Sequence, residues 1–235
     1  MSGGAGEASF DWDTYWADAD EERREEASPS AHHAAEVLPE FVERFDAPAG
    51  VADVGCGAGV TTFAAADRLS ETVVGYDTAA PVVERNRERA EREGVENVPF
   101  EQATLPAFAP DREFGVVFAY FTLQYVRDVE QALENLYAAV APGGALVFNY
   151  MNRAARDFCS IAADDPHANA DHPFVFDPDE YTERFGALLD GDSVLSRERI
   201  YETLGTWPRS AFTVADRPDV RWAWHHAPLV YVPKR

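Results

Sequence analysis

One run constrains this chain more than any other: Val51-Ala52-Asp53-Val54-Gly55-Cys56-Gly57-Ala58-Gly59. A short apolar strand delivers an acid and then three glycines at alternate positions, directly ahead of a helix-like stretch. Glycine suits such a place because a tight turn visits positive φ and because a side chain would hold a ligand away from the backbone. Amides at the start of the following helix attract an anionic group such as a carboxylate. The spacing separates this turn from its relatives. A dinucleotide fingerprint GxGxxG would need glycine at Val60, whereas the run reads GxGxG, with Asp53 where a dehydrogenase strand stays apolar. A phosphate-gripping P-loop would need a Lys-Ser or Lys-Thr pair, which the run lacks.

Around that turn the chain alternates strands and helices. Short β-branched runs bounded by Gly, Pro or Asp predict strands at Val51–Val54, Thr72–Tyr76, Val98–Phe100, Phe114–Tyr120 and Ala145–Tyr150. Leu133, Leu136, Tyr137 and Val140 recur at helical spacing behind the capping candidate Asp128, and Pro142-Gly143-Gly144 is expected to stop that helix. The pattern implies βαβ units and hence a doubly wound, mostly parallel α/β sheet with helices on both faces, of Rossmann-like form. An amphipathic stretch from Ala31 to Phe45 precedes it, with an expected interruption at Pro39. Beyond residue 150 come a Pro-rich segment from Asp164 to Pro178, a predicted helix from Asp179 to Leu189, and strand-like runs at Val194–Thr203 and Leu229–Val232. The last two are read as an antiparallel edge, which brings the sheet to seven strands. The expected organisation is an acidic segment over residues 1–30, folding as a lid, and a main domain over 31–235 with a cap-like insert at about 151–190.

Composition narrows the partners. The chain has 235 residues and a net charge of −22, from 42 acids against 20 bases, and Lys234 is its one lysine. That balance resembles proteins of salt-loving archaea, in which a dense carboxylate surface stays hydrated in molar salt. A field of this sign opposes phosphate backbones, so nucleic acid is disfavoured as a partner. Cys56 and Cys159 lie far apart and form no CxxC pair, which fits a reducing cytoplasm. No metal is expected, because the six histidines show no ligand spacing. Neither a signal peptide nor a membrane span is read from the sequence, so no membrane partner is expected.

With these residues in hand, the stretch from 45 to 150 resembles the class I S-adenosylmethionine-dependent methyltransferases, whose first motif is acid, x, Gly, x, Gly, x, Gly. The resemblance implies S-adenosylmethionine as cofactor, with Gly55 and Gly57 allowing backbone approach to its methionyl part, Asp53 near its ammonium, and Cys56 and Gly59 completing the turn. Asp77 closes the second strand 18 positions beyond Gly59, close to the spacing of a ribose-binding carboxylate, and Thr78 follows it. Phe100-Glu101-Gln102-Ala103-Thr104-Leu105-Pro106 resembles the family's adenine-contacting segment, with Gln102 and Ala103 in the contacting places and Glu101 as the alternative. Phe114 to Val126 resembles the fourth-strand motif, with Gly115 in place of an Asp and Gln124-Tyr125 in place of paired histidines. Ala141-Pro142-Gly143-Gly144 completes the order.

Methyl transfer from a sulfonium is an in-line displacement that needs alignment, exclusion of water and sometimes a base. Acceptor contacts are expected after the fourth and fifth strands and from the N-terminal aromatic cluster Phe10-Asp11-Trp12-Asp13-Thr14-Tyr15-Trp16. Tyr120 and Tyr15 are expected beside the cofactor. Tyr125, Tyr150, His167 and His172 are the candidates for a catalytic role, and Arg153 and Arg156 for holding an acidic acceptor. The expected function is methyl transfer to a small molecule. The alternatives are a noncatalytic protein that binds S-adenosylmethionine or S-adenosylhomocysteine, and a methyltransferase acting on RNA or protein; NAD-dependent dehydrogenation ranks last.

Overall fold

The computed structural model describes residues 10–19, 31–46, 50–169, 177–220 and 227–235. Strands β1 (Val51–Val54), β2 (Val73–Asp77), β3 (Phe100–Gln102), β4 (Phe114–Ala119), β5 (Val140–Asn149), β6 (Arg209–Ser210) and β7 (Leu229–Pro233) form one sheet in the order β3-β2-β1-β4-β5-β7-β6. The first five run parallel, while β7 pairs antiparallel with both β5 and β6. The helices are α1 (Trp12–Asp18), α2 (Ala31–Phe45), α3 (Val60–Arg68), α4 (Ala80–Glu93), α5 (Val129–Ala138), α6 (Arg153–Ala163), α7 (Tyr181–Arg184), α8 (Gly186–Asp190) and α9 (Arg197–Leu204).

Alternation along the strands sorts the core into two faces, because successive side chains of a strand point to opposite sides. Val51, Val73, Val116, Phe118, Ala145 and Val147 pack with α2, α3 and α4, whereas Ala52, Val54, Val74, Val117, Leu146 and Phe148 pack with α5 and α9. Strands buried on both faces read as continuous apolar runs, and the wholly buried β4, Phe114–Ala119, is such a run. Leu133 and Leu136 of α5 are fully buried, and Asp128 caps that helix by accepting the Gln131 N–H at 3.3 Å.

Several elements differ from the sequence-based expectation. Val194–Thr203 is not a strand: Ser196 caps a helix by accepting the Arg199 N–H at 3.1 Å, Gly205 closes it at φ 66°, and Ile200 supplies the buried contact. The edge strand beyond β7 is instead Arg209–Ser210. Pro39 does not end α2, which continues through it to Phe45. The helix expected over Asp179–Leu189 is two short helices, α7 and α8, meeting at Phe185-Gly186. Pro142-Gly143-Gly144 lies inside β5 rather than outside it, at an irregularity in the β4–β5 register between Phe114 and Val116. A Cβ on Gly144 would lie 2.3 Å from the Gly115 carbonyl oxygen, so the two backbones touch where a side chain would part them. The acidic run Asp18–Glu26 lies outside the described residues from Asp20 onward, as do residues 170–176 of the Pro-rich segment. Among the described residues no helix is long and apolar enough to cross a membrane.

Candidate functional site

The chain moves outward from β1 through β2 to β3, then crosses back to β4 on the other side of β1. That reversal leaves a crevice beyond the carboxyl ends of β1 and β4, the place where ligands bind in open α/β sheets. A cavity of about 460 Å³ occupies it, within the range of small-molecule sites.

Its floor is the Gly-rich turn. Gly55, Gly57 and Gly59 have φ of 77°, 51° and 75°, a region that residues with a Cβ avoid. The turn is tied to β2: the N–H groups of Gly55 and Cys56 both donate to the Tyr76 carbonyl, and the Gly57 N–H donates to Asp77 Oδ2 at 2.8 Å. Asn86 of α4 donates to the Gly57 carbonyl at 2.8 Å, a support invisible in sequence because it is one polar residue on a helix.

Two carboxylates lie buried there. Asp77 also accepts the Ala79 N–H at 3.0 Å through Oδ1, so each of its oxygens keeps lone-pair capacity for a vicinal diol. Asp77 is not the cap residue of α4, since Ala79 occupies that position without a side-chain bond. Asp53 Oδ2 accepts the Thr62 hydroxyl at 2.7 Å. Burial, reinforced by the charge of Asp77, pushes the Asp53 carboxyl up to about 7, against the downward pull of Thr62. Burial likewise raises Asp77 above the usual carboxylate range. A bound cation would relieve both. This pair, the side-chain-free floor and the half-buried Thr78 and Ala103 in the wall fit an adenosyl cofactor that carries an ammonium and a sulfonium.

The roof is α1. Asp11 caps it by accepting the Thr14 N–H at 3.0 Å. Asp13 Oδ1 accepts the Ala80 N–H at 2.9 Å, and Arg85 donates to the Trp16 carbonyl, so α1 is docked on α4. Trp16 covers the turn so closely that a Cβ on Gly57 would lie 3.2 Å from its ring. Tyr15 and Trp16 are buried although their segment is otherwise polar.

The far end is aromatic. Trp12 meets Tyr125 edge to face at 4.8 Å between ring centroids, and Tyr125 in turn lies 5.4 Å from Phe185. Tyr120, Phe121 and Thr122 complete this part of the wall with Arg184 and Ala187.

The expected site residues divide accordingly. Asp53, Gly55, Cys56, Gly57, Asp77, Thr78, Ala103, Tyr120, Tyr15 and Tyr125 all line the cavity. Gly59 shapes the turn as the residue before α3, where a Cβ would lie 3.0 Å from Phe63. Gln102 points elsewhere: it is exposed and donates to the Thr78 carbonyl at 2.9 Å. Tyr150 is buried in the apolar cluster with Phe148, Leu195 and Ile200, away from the cavity wall. His167 is exposed and bonded to Asp179 at 3.0 Å, and His172 lies outside the described residues. Arg153 is exposed, while Arg156 holds the Leu189 carbonyl at the end of α8. Gln124 is buried and donates to the Phe121 carbonyl. Sequence reasoning passed over Thr122, whose hydroxyl donates to the Val54 carbonyl at 3.3 Å, and Arg184, which lies in a region read only as helix. Among the described residues no group of three or more His, Cys, Asp or Glu could hold a metal ion.

Known proteins resemble the chain over the same stretch. Residues 51–144 match a protein family described as a methyltransferase domain. The chain is 34% identical over 126 residues to the trans-aconitate 2-methyltransferase of Variovorax paradoxus, covering 51% of this chain and 47% of that protein. It is 30% identical over 117 residues to the ubiquinone biosynthesis O-methyltransferase of Actinobacillus pleuropneumoniae, covering 47% and 49% respectively. The chain thus spans about half the length of the curated relatives it matches. Among solved structures, an O-methyltransferase family protein from Burkholderia thailandensis superposes with a TM-score of 0.58 at 16% identity, over 91% of this chain and 57% of that one, which shows a shared fold. Over residues 51–144 the chain is thus similar to a methyltransferase domain, on a fold shared with that O-methyltransferase family protein.

Proposed function

We propose that the chain binds S-adenosylmethionine over the Gly-rich turn and transfers its methyl group to a small-molecule acceptor seated among the aromatic residues. The observation that carries this reading is the buried pair Asp53 and Asp77 beside three glycines of positive φ, at one end of a cavity whose other end is aromatic. S-adenosylmethionine, when bound, supplies a methyl group already activated as a sulfonium. Asp53 would face the ammonium and Asp77 the ribose hydroxyls, while Thr78 and Ala103 would flank the adenine. Trp16, Trp12 and Tyr15 exclude water from above, which strengthens every electrostatic interaction below them.

Residues 1–30 act in this reading as a lid on the domain formed by 31–235, and the insert at about 151–190 supplies the acceptor wall. A small acceptor suits the roofed cavity, and both relatives named above are small-molecule methyltransferases by name. The acidic surface disfavours RNA. Two free cysteines, one buried and one half-buried, suit a cytoplasmic setting. The noncatalytic alternative draws on Gly115, Gln124 and Tyr125, which stand where the family places an acid and two histidines.

Titration calorimetry with S-adenosylmethionine and S-adenosylhomocysteine tests the cofactor half, and label transfer from methyl-tritiated cofactor into a filtered metabolite extract tests the rest. Heat with both nucleosides together with a labelled product is expected. Heat without product would favour the noncatalytic binder, and no heat with either would end the reading.

A further inference from the structure

The cavity wall carries a strained residue where the chain leaves β4. Phe121 has φ 48°, a left-handed conformation in which a bulky aromatic residue is an outlier. Among the described residues the other non-glycine of positive φ is Asp46, a residue type that enters this region more readily. Two buried side-chain amides grip Phe121. Asn149, 1% exposed at the end of β5, accepts the Phe121 N–H at 2.6 Å through Oδ1, and Gln124, 2% exposed, donates to the Phe121 carbonyl at 2.9 Å. Neither amide lines the cavity. The Asn149 Nδ2 has no hydrogen-bond partner among the described residues, so this amide carries the penalty of an orphan donor while its oxygen serves Phe121. The next residue, Thr122, turns its hydroxyl back to the Val54 and Tyr120 carbonyls at 3.3 and 3.1 Å. Its side chain rests on the Gly-rich turn, since a Cβ on Gly55 would overlap it.

We infer that Asn149 and Gln124 are positioning residues of the cofactor bed: together they lock Phe121 in the left-handed region, and the locked bend presses Thr122 against the Gly-rich turn. This rests on the cofactor reading above and adds the residues that hold its bed in shape. Returning Phe121 to a right-handed conformation would turn its N–H and carbonyl away from both amides and leave buried polar groups unpaired. The same rotation would carry Thr122 off Gly55 and spoil the wall that Tyr120, Phe121 and Thr122 form. A chain whose bend is locked only part of the time binds in proportion to that fraction, so the two amides act on affinity without touching the ligand. Asn149 comes from the neighbouring strand, so the lock is complete only once β5 has paired with β4. Gln124, standing where the resembled motif has a histidine, contributes a donor that does not titrate.

The experiment titrates S-adenosylhomocysteine into the full chain by calorimetry and records the melting of each variant alongside. Asn149→Leu, which keeps the shape and removes the acceptor, is expected to weaken binding about tenfold or more. Asn149→Asp keeps an oxygen in the same place and is expected to recover most of that loss. Phe121→Gly supplies a residue that reaches φ 48° unaided, so adding Asn149→Leu to it is expected to cost little further affinity. An Asn149 that served stability alone would lower the melting temperature of Asn149→Leu and leave the affinity of the folded chain unaltered, or would cost the same factor with and without Phe121→Gly. Either result would overturn the inference and leave the cofactor reading standing. Should Asn149→Leu fail to fold, Gln124→Met loosens the carbonyl side of the same bend and carries the same expectations in both backgrounds. Absence of heat in the parent chain would remove the cofactor reading and this one together.

Discussion

Asp53 is placed where its ionised form is costly without a ligand, and that cost can be measured. An aspartate in the unfolded chain ionises near pH 3.9, whereas burial and Asp77 push this one up to about 7. Between those two values the unfolded chain releases a proton that the fold retains, so the fold loses stability as pH rises through the window. The loss reaches up to about 4 kcal/mol above pH 7. Asp53→Asn is therefore expected to melt several degrees higher than the parent at pH 8 without cofactor, with the difference shrinking toward pH 4. The same variant is expected to bind the cofactor about tenfold more weakly or worse. Scanning calorimetry and titration calorimetry check the two halves, and equal melting at pH 8 would dispose of the argument. A second residue-scale prediction contrasts two glycines of similar φ. Gly57→Ala places a methyl 3.2 Å from Trp16 at φ 51°, whereas Gly94→Ala at φ 68° meets open space. Both are expected to lose about 1 kcal/mol of stability, but only Gly57→Ala is expected to weaken cofactor binding.

At the scale of elements, α1 is the piece whose removal is most informative. It is held by the Asp13 and Arg85 contacts to α4 and by aromatic edges rather than by the sheet. Deleting residues 1–19 is expected to leave the melting of the rest nearly unchanged while weakening cofactor affinity about tenfold, as read by calorimetry. What the sequence disclosed and what it hid divide at this scale. The strands β1, β2, β4 and β5 were legible because burial on both faces makes them continuous apolar runs, and the turn was legible because alternating glycines after an acid have few other uses. Val194–Thr203 misled because a short run with Val, Leu and Ile suits either period, and only the Ser196 cap and Gly205 closure decide it. Arg184 was hidden because its burial depends on Tyr15 and Phe185, which lie far apart in sequence. Gln102 misled for the opposite reason: the motif supplied the place but not the side-chain direction, which the Thr78 carbonyl takes up.

For the whole molecule the governing quantity is charge. A net −22 on 235 residues means that self-repulsion acts against the fold at low ionic strength. Screening shortens from about 10 Å at 0.1 M salt to about 3 Å at 1 M. The melting temperature is therefore expected to rise by several degrees between 0.1 M and 2 M KCl at pH 7, and a flat or falling curve would count against the salt-loving reading. The same helix that roofs the glycines also carries Trp12 and Tyr15 to the acceptor end. Under the proposed methyl transfer, traffic through the crevice would be sequential, since a nucleoside at the bottom could not be exchanged while a companion molecule leaned on that roof. Steady-state inhibition patterns are expected to show the nucleoside entering first and its spent form departing last, with the pace of each cycle set by how often a seven-residue helix lifts.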